Sequence, residues 1–316
     1  MERRTLIKSL AAAAAVGSLA PITAGAASIN NSGAVLKPKR LKPGMTIGLI
    51  APASASNNRQ HVLMAIDVLK SLGYRVREGE NLNQRTQYLA GRDEDRAADV
   101  NRMFADPEVD GIFTLTGGYG TMRTLPHLDY ELIARNPKVL IGYSDITGLL
   151  LGIHAKTGLV GFHGPVASSM FSDYTLTEYK KVVVNPQDRA QIGAPPVVEY
   201  PEGQTERSNR LMSFHGGKAR GRLVGGNLSL LSPLVGTPYQ PDFDGAILFL
   251  EDVNEAFYRL DRMITHLLLA GILDRVSGIV IGKFTKIPKE GNSFNLEEFI
   301  EQLLVPLGIP VVRGLM

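Results

Sequence analysis

Short apolar runs that break at a glycine or proline and give way to helical periodicity constrain this chain more than any other feature. Thr46-Ile47-Gly48-Leu49-Ile50-Ala51-Pro52 reads as a buried strand ending in a turn. Residues 60–72 have amphipathic helical spacing closed by Gly73, and residues 74–77 begin a second strand. Residues 93–104 predict a helix, and residues 109–115 a third strand that ends at Gly117-Gly118-Tyr119-Gly120. A short helix over 129–135 leads to the strand Val139-Leu140-Ile141, and residues 159–162 read as another. Runs that are apolar throughout, without polar alternation, fit strands buried on both faces. Their alternation with helices predicts an α/β fold with a parallel sheet covered on both sides.

The second half repeats the alternation less regularly. Residues 185–204 are richer in Pro, Gly and polar residues and read as an inter-domain region. Strands are expected over 219–223, 246–250 and within 276–283, and helices over 256–269 and 296–304. An apolar strand closes the sequence at residues 309–316, which predicts apolar surface left open there.

With 316 residues the chain is long enough for two domains, and 44% hydrophobic residues with 33 glycines suit a folded α/β protein. A formal net charge of +3, with no basic stripe carrying interleaved aromatics, argues against a nucleic-acid partner. The cluster Lys37, Lys39, Arg40, Lys42 is punctuated by Pro38 and Pro43 and reads as a solvated linker. No cysteine is present, which excludes disulfides, thiolate metal sites and a Cys nucleophile.

The first residues read as an export signal. Arg3-Arg4 precede an alanine-rich apolar stretch from 9 to 20, too short to span a membrane, and Ala24-Gly25-Ala26 offers small residues for cleavage. The arginine pair resembles a twin-arginine signal, with Glu2 before it leaving a Sec route open. The expected organisation is therefore an export signal over 1–27, a linker over 28–43, an α/β domain over 44–190 and a second domain over 205–316. The expected location is the periplasm, without stable membrane insertion.

Ser144 is the first candidate for chemistry. Gly142 frees the chain to turn sharply after the Val139–Ile141 run, and a helix follows over 146–153. A serine on such a turn points its hydroxyl out at the carboxyl edge of the sheet, beside free helix N–H groups suited to an oxyanion. The competing expectation is a plain helix cap, with Asp145 a first-turn acid. Glu251 follows the 246–250 strand, where α/β active sites gather, and could orient a histidine. Asp252, Asn254 and Glu255 also fit helix-start chemistry. Gly117-Gly118-Tyr119-Gly120 and Gly225-Gly226-Asn227 read as glycine-rich turns, the first able to present N–H groups, the second placing the Asn227 amide toward a ligand. Among the six histidines no pair has the spacing of a helical metal site, and no metal or cofactor is expected. His61, His154 and His266 fall on expected helices, whereas His163, in Phe162-His163-Gly164-Pro165, lies at a strand end and could approach a site.

These segments, with Ala51-Pro52, Gly236-Thr237-Pro238 and Leu250-Glu251-Asp252-Val253-Asn254-Glu255, together resemble the LD-carboxypeptidase family of serine peptidases, which includes microcin C immunity peptidases. The resemblance covers roughly residues 42–316. It implies a flavodoxin-like parallel-sheet N-terminal domain and a smaller C-terminal domain with a β-barrel-like core, the site lying between them. It implies Ser144 as nucleophile, Glu251 as triad acid, the backbone N–H groups of Asp145 and Gly118 as the oxyanion hole, and Tyr119 and Asn227 as substrate contacts. The implied reaction releases terminal D-alanine from a murein tetrapeptide, and a homodimer is a further implication. Two departures stand out. Thr116 replaces an arginine common before Gly-Gly-Tyr-Gly. The family's catalytic histidine belongs to a Gly-His pair beyond the segment matching 311–316, so a C-terminally incomplete and impaired enzyme is expected from this sequence. The competing expectations are a non-catalytic muropeptide-binding protein, a peptidase acting on microcin-like peptidyl nucleotides, for which a stacking Trp is absent, and a two-lobed solute-binding protein.

Overall fold

The expected strands of the first half form, the one expected over 159–162 only as the later Phe162–His163, and alternation decides which core each feeds. In a computed structural model, residues 35–316 are described apart from 57, 197–208, 289–290 and 292; the expected export signal lies outside the described residues. Strand β1 (Thr46–Ile50) leads to α1 (Arg59–Ser71), β2 (Arg75–Glu78), α2 (Asp93–Ala105) and β3 (Gly111–Thr114). The chain continues through α3 (Thr121–Thr124), α4 (Tyr130–Arg135), β4 (Val139–Gly142), α5 (Ile146–Thr157), β5 (Phe162–His163) and α6 (Asp173–Tyr179). The sheet runs β2-β1-β3-β4-β5 with all pairs parallel. That is the flavodoxin-like order, and its switch point lies between β1 and β3, where ligands of open α/β sheets gather.

Ile47, Leu49, Phe113, Val139 and Ile141 pack with Val62, Ala65 and Leu69 of α1 on one face. Ile50, Ile112 and Leu140 point to the other face, against Val100 and Phe104 of α2 and Ile146 and Leu149 of α5. Alternate residues of one apolar run thus fill two cores, which is why the run carries no polar alternation. Residues 35–43, expected as linker, lie along this part: Leu36 bridges Leu159 and Leu41 is fully buried.

The second part holds β6 (Met212–His215), β7 (Leu223–Asn227), α7 (Leu228–Leu231), β8 (Ile247–Val253), α8 (Phe257–Leu269), β9 (Gly278–Thr285), α9 (Leu296–Leu303) and β10 (Val311–Arg313). The expected barrel-like core takes the form of a five-stranded mixed sheet, β6-β10-β9-β8-β7, in which only the β6–β10 pair is antiparallel. Its apolar face, including Leu248, Leu250 and Ile279, packs with Phe299 of α9 in a core continuous with the α5 side of the first sheet.

Several local expectations are corrected. The strand expected over 219–223 begins at Leu223 and runs to Asn227, so Gly225-Gly226-Asn227 is a strand end and not a turn. Burial there demands backbone-to-backbone approach: a Cβ on Gly225 would lie 1.9 Å from the Phe249 carbonyl oxygen. β6 lies outside the strands expected from the sequence. β10 lies inside the sheet, paired on both sides, and Val311 is fully buried, so the expected open apolar surface is not found on this strand. Gly225→Ala must both strain a φ of +147° and displace β8. It is expected to destabilise by roughly 3 kcal/mol or more, measured as the shift in a urea unfolding midpoint.

Candidate active site

The turn after β4 is strained at one residue. Ser144 has φ +61°, a left-handed conformation that a non-glycine residue adopts at a cost of roughly 1–2 kcal/mol. Helix α5 starts only beyond it, with Asp145 at the cap position making no side-chain capping bond. The helix-cap expectation for Ser144 is therefore overturned, because a cap residue has extended backbone and its side chain turns back onto the helix. Here the serine stands on a strained strand-to-helix elbow, half-buried. Asp145 is not a solvated first-turn acid either. It is buried, and its Oδ2 accepts from the Thr121 N–H at 2.9 Å while Thr121 Oγ1 donates to its carbonyl. Burial pushes its carboxyl up, opposed by the Thr121 bonds.

The glycine-rich turn after β3 lies against this elbow. A Cβ on Gly117 would sit 3.3 Å from Ser144 Oγ. Among the described residues, the N–H groups of Asp145 and Gly118 have no hydrogen-bond acceptor. Tyr119 is 55% exposed, its ring edge-on to Tyr88 with centroids 5.7 Å apart.

The second sheet delivers Glu251. β8 runs three residues further than expected, so Glu251 lies on the strand and not beyond its end. The pairing with β9 shifts register between Leu250 and Asp252, a bulge that re-aims the residue between them. On the other side Glu251 pairs with Asn227. The helix-start expectation for Asp252 and Asn254 fails: α8 is preceded by Ala256, which makes no capping bond, and Asn254 has φ +62°. Asp252 is buried and accepts from Asn227 Nδ2 at 3.0 Å, Ser229 N–H at 2.9 Å, Ser229 Oγ at 2.8 Å and its neighbour Val253 N–H at 2.8 Å.

Two contacts bring the elbow and the acid together. The Asn227 N–H donates to Thr147 Oγ1, in the first turn of α5, at 3.1 Å. His163, on β5 opposite Gly142, rests edge-on between Tyr143 and Phe249 and places Nε2 3.7 Å from Glu251 Oε1. That separation is beyond hydrogen-bond reach, and burial pushes the His163 imidazole down to about 4, leaving it neutral at physiological pH. Burial, reinforced by the adjacent charge of Asp252, pushes the Glu251 carboxyl up to about 7. Glu251 Oε1 and Asn227 Oδ1 have no hydrogen-bond partner among the described residues. The structure thus gathers Ser144, Asp145 and the Gly117–Gly120 turn on one side and Asn227 and Glu251 on the other. His61, His154 and His266 bond instead to Ser56, the Leu159 carbonyl and Ser232.

Residues 47–164 match the LD-carboxypeptidase N-terminal domain and residues 220–316 the LD-carboxypeptidase C-terminal domain. The chain belongs to the LD-carboxypeptidase family. It is 40% identical to the probable murein peptide carboxypeptidase of Bacillus subtilis, over 88% of this chain and 85% of that protein. The murein tetrapeptide carboxypeptidase of Pseudomonas aeruginosa is 31% identical, over 85% and 86%. The solved structure of the Escherichia coli microcin C7 self-immunity protein MccF in complex with aspartyl sulfamoyl adenosine superposes with a TM-score of 0.78 at 28% identity, covering 88% of this chain and 89% of that one. As a member of this family the chain is a hydrolase of carboxypeptidase type. Among the described residues no helix is long and apolar enough to cross a membrane.

An unfolded glutamate titrates near 4.5 and Glu251 near 7, so the folded state holds the proton more tightly between those values. Ionising Glu251 therefore opposes folding increasingly as pH rises through that window. Glu251→Gln is expected to raise stability by on the order of 1–3 kcal/mol at about pH 8 and to leave it nearly unchanged at about pH 4. Denaturant unfolding at the two pH values measures it.

Proposed function

We propose that this protein is a serine LD-carboxypeptidase that releases the terminal D-alanine of a murein tetrapeptide. The observation carrying this reading is the left-handed elbow at Ser144, set against two unengaged N–H groups, with the half-buried carboxyl of Glu251 brought to the same junction from a second sheet. A serine in a merely structural turn needs none of the three.

In this mechanism Ser144 Oγ attacks the carbonyl carbon of the L,D-amide. Its proton would pass to the imidazole of the Gly-His pair that the family resemblance places after the segment matching 311–316, which Glu251 would orient, and the tetrahedral oxyanion rests on the Asp145 and Gly118 N–H groups. The C–N bond then breaks, the imidazole returns the proton to the departing D-alanine nitrogen, and water releases the acyl group by the same route. Tyr119, exposed beside the turn, and Asn227, with an unsatisfied carbonyl oxygen, are the proposed substrate contacts. The leading 27 residues would export the protein to the periplasm, where murein peptides are met.

A second reading, hydrolysis of peptidyl nucleotides, draws on the likeness to MccF and on the exposed Tyr88–Tyr119 pair, which offers aromatic surface for a base. Mass spectrometry of the protein carried through the Gly-His pair that the resemblance places after the segment matching 311–316, with a murein tetrapeptide and, in parallel, aspartyl sulfamoyl adenosine, separates the two. D-alanine release abolished by Ser144→Ala, with the adenosine compound untouched, is the expected result; cleavage of the second compound alone selects the other reading. Because Glu251 must be ionised to hold an imidazolium, kcat/KM is expected to fall as pH drops below about 7. A pH–rate profile without an acidic limb in that region contradicts the assignment of Glu251.

A further inference from the structure

The oxyanion turn contains consecutive glycines, and glycine backbones accept many orientations. Something outside the turn must decide which way its peptide planes face. The loop after β1 supplies the contacts. Ser54 Oγ accepts the Tyr119 N–H at 3.0 Å, and the Ser54 N–H reaches the Gly117 carbonyl at 3.4 Å. One residue therefore touches two successive peptide planes of the turn. In a trans peptide the C=O and N–H point in opposite directions. Turning the Gly117 carbonyl toward Ser54 turns the Gly118 N–H away from the β1 loop, and Ser144 lies against Gly117. Engaging the Tyr119 N–H leaves Gly118 as the donor of the pair without an acceptor among the described residues.

The fit is close. A Cβ on Gly118 would lie 2.2 Å from Ser54 Oγ, so the glycine makes room for the serine as well as adopting φ +114°. Arg96, buried beneath, donates to the Gly120 carbonyl at 2.9 Å and to the Pro52 carbonyl. It fastens the far end of the turn to the same loop. β1 and β3 flank the switch point of the sheet, so the brace joins the two loops between which such folds place their ligands.

We infer that Ser54 is a positioning residue: its N–H holds the Gly117–Gly118 peptide that carries the Gly118 N–H, and its hydroxyl fixes the following Gly118–Tyr119 peptide, so that the Gly118 N–H faces the reacting carbonyl oxygen. The inference rests on the carboxypeptidase reading for its effect on rate, but not for the brace itself. A donor held in place before reaction stabilises the transition state more than the bound substrate. Loss of the brace therefore lowers kcat and spares KM.

The test compares the parent protein, carried through the same Gly-His pair, with Ser54→Ala and with Ser54→Thr, which keeps the acceptor oxygen. Tetrapeptide turnover and hydrogen exchange at the Tyr119 amide are measured in all three. In Ser54→Ala, kcat is expected to fall about tenfold or more with KM changed less than about twofold, since direct removal of an oxyanion donor costs about 10²–10³ and the Ser54 main-chain contact remains. The Tyr119 amide is expected to exchange about tenfold faster or more as its hydrogen bond opens. Ser54→Thr is expected to retain most of kcat and of the protection. Unchanged Tyr119 exchange in Ser54→Ala overturns the brace, and unchanged kcat overturns its role in the reaction. Absence of turnover by the parent protein counts against the carboxypeptidase reading alone, and the exchange comparison then decides the brace by itself.

Discussion

The left-handed backbone at Ser144 is the constraint around which the first sheet's functional edge is arranged. A serine does not adopt φ +61° without help. Gly142 provides part of it, because a Cβ there would lie 2.4 Å from Thr114 Oγ1 and 2.9 Å from Ile146. Strands β3 and β4 and the start of α5 can then approach closely. Asp145 provides the rest by bonding across to Thr121, which pins the first turn of α5 to the helix after the glycine-rich turn. The two loops are held at a fixed spacing, and the strained residue stands between them.

The second sheet is placed by the same helix. Helix α5 is buried along most of its length, packed between the first sheet and α7 with no polar face. Its Thr147 hydroxyl receives the Asn227 N–H, which sets the end of β7 against the elbow. Parallel pairing of β7 with β8 then fixes Glu251 opposite Asn227. The carboxyl ends of strands from two sheets meet here because one helix serves both, and the apolar core runs without a break from Ile50 through Leu149 to Leu250 and Val311.

Two adjacent acids in this junction have different surroundings. Asp252 faces the core and is surrounded by donors from β7, α7 and its own strand, so it acts as a tie. Glu251 faces the junction with His163 and Phe249, and one of its oxygens has no donor among the described residues. Strand alternation sends neighbours to opposite faces, and the bulge between Leu250 and Asp252 adds to the separation. One carboxylate is satisfied structurally while the next keeps a raised affinity for a proton. A carboxyl perturbed by burial and by an adjacent charge is a mark of functional sites.

Much of this protein is legible in its sequence. The short apolar runs at β1, β3 and β4, each bounded by a turn residue and followed by helical spacing, point to a parallel sheet because strands buried on both faces carry such runs. Gly142-Tyr143-Ser144-Asp145 and Leu250-Glu251-Asp252 mark the candidate nucleophile and acid, and together with the other segments they identify the family. What the sequence does not contain is direction. It cannot distinguish Ser144 as a cap from Ser144 at φ +61°, since both place serine before a helix. It makes Gly225-Gly226-Asn227 look like a turn, although the glycines are there because β8 passes too close for a Cβ. It hides β6, half-buried and without clear alternation, and gives Ser54 no motif of its own. Those features depend on what another segment, far away in the chain, brings to within 3 Å. Local periodicity fixes which residues form strands and helices, and the packing of the two sheets around α5 decides which backbone atoms and side chains they turn toward one another.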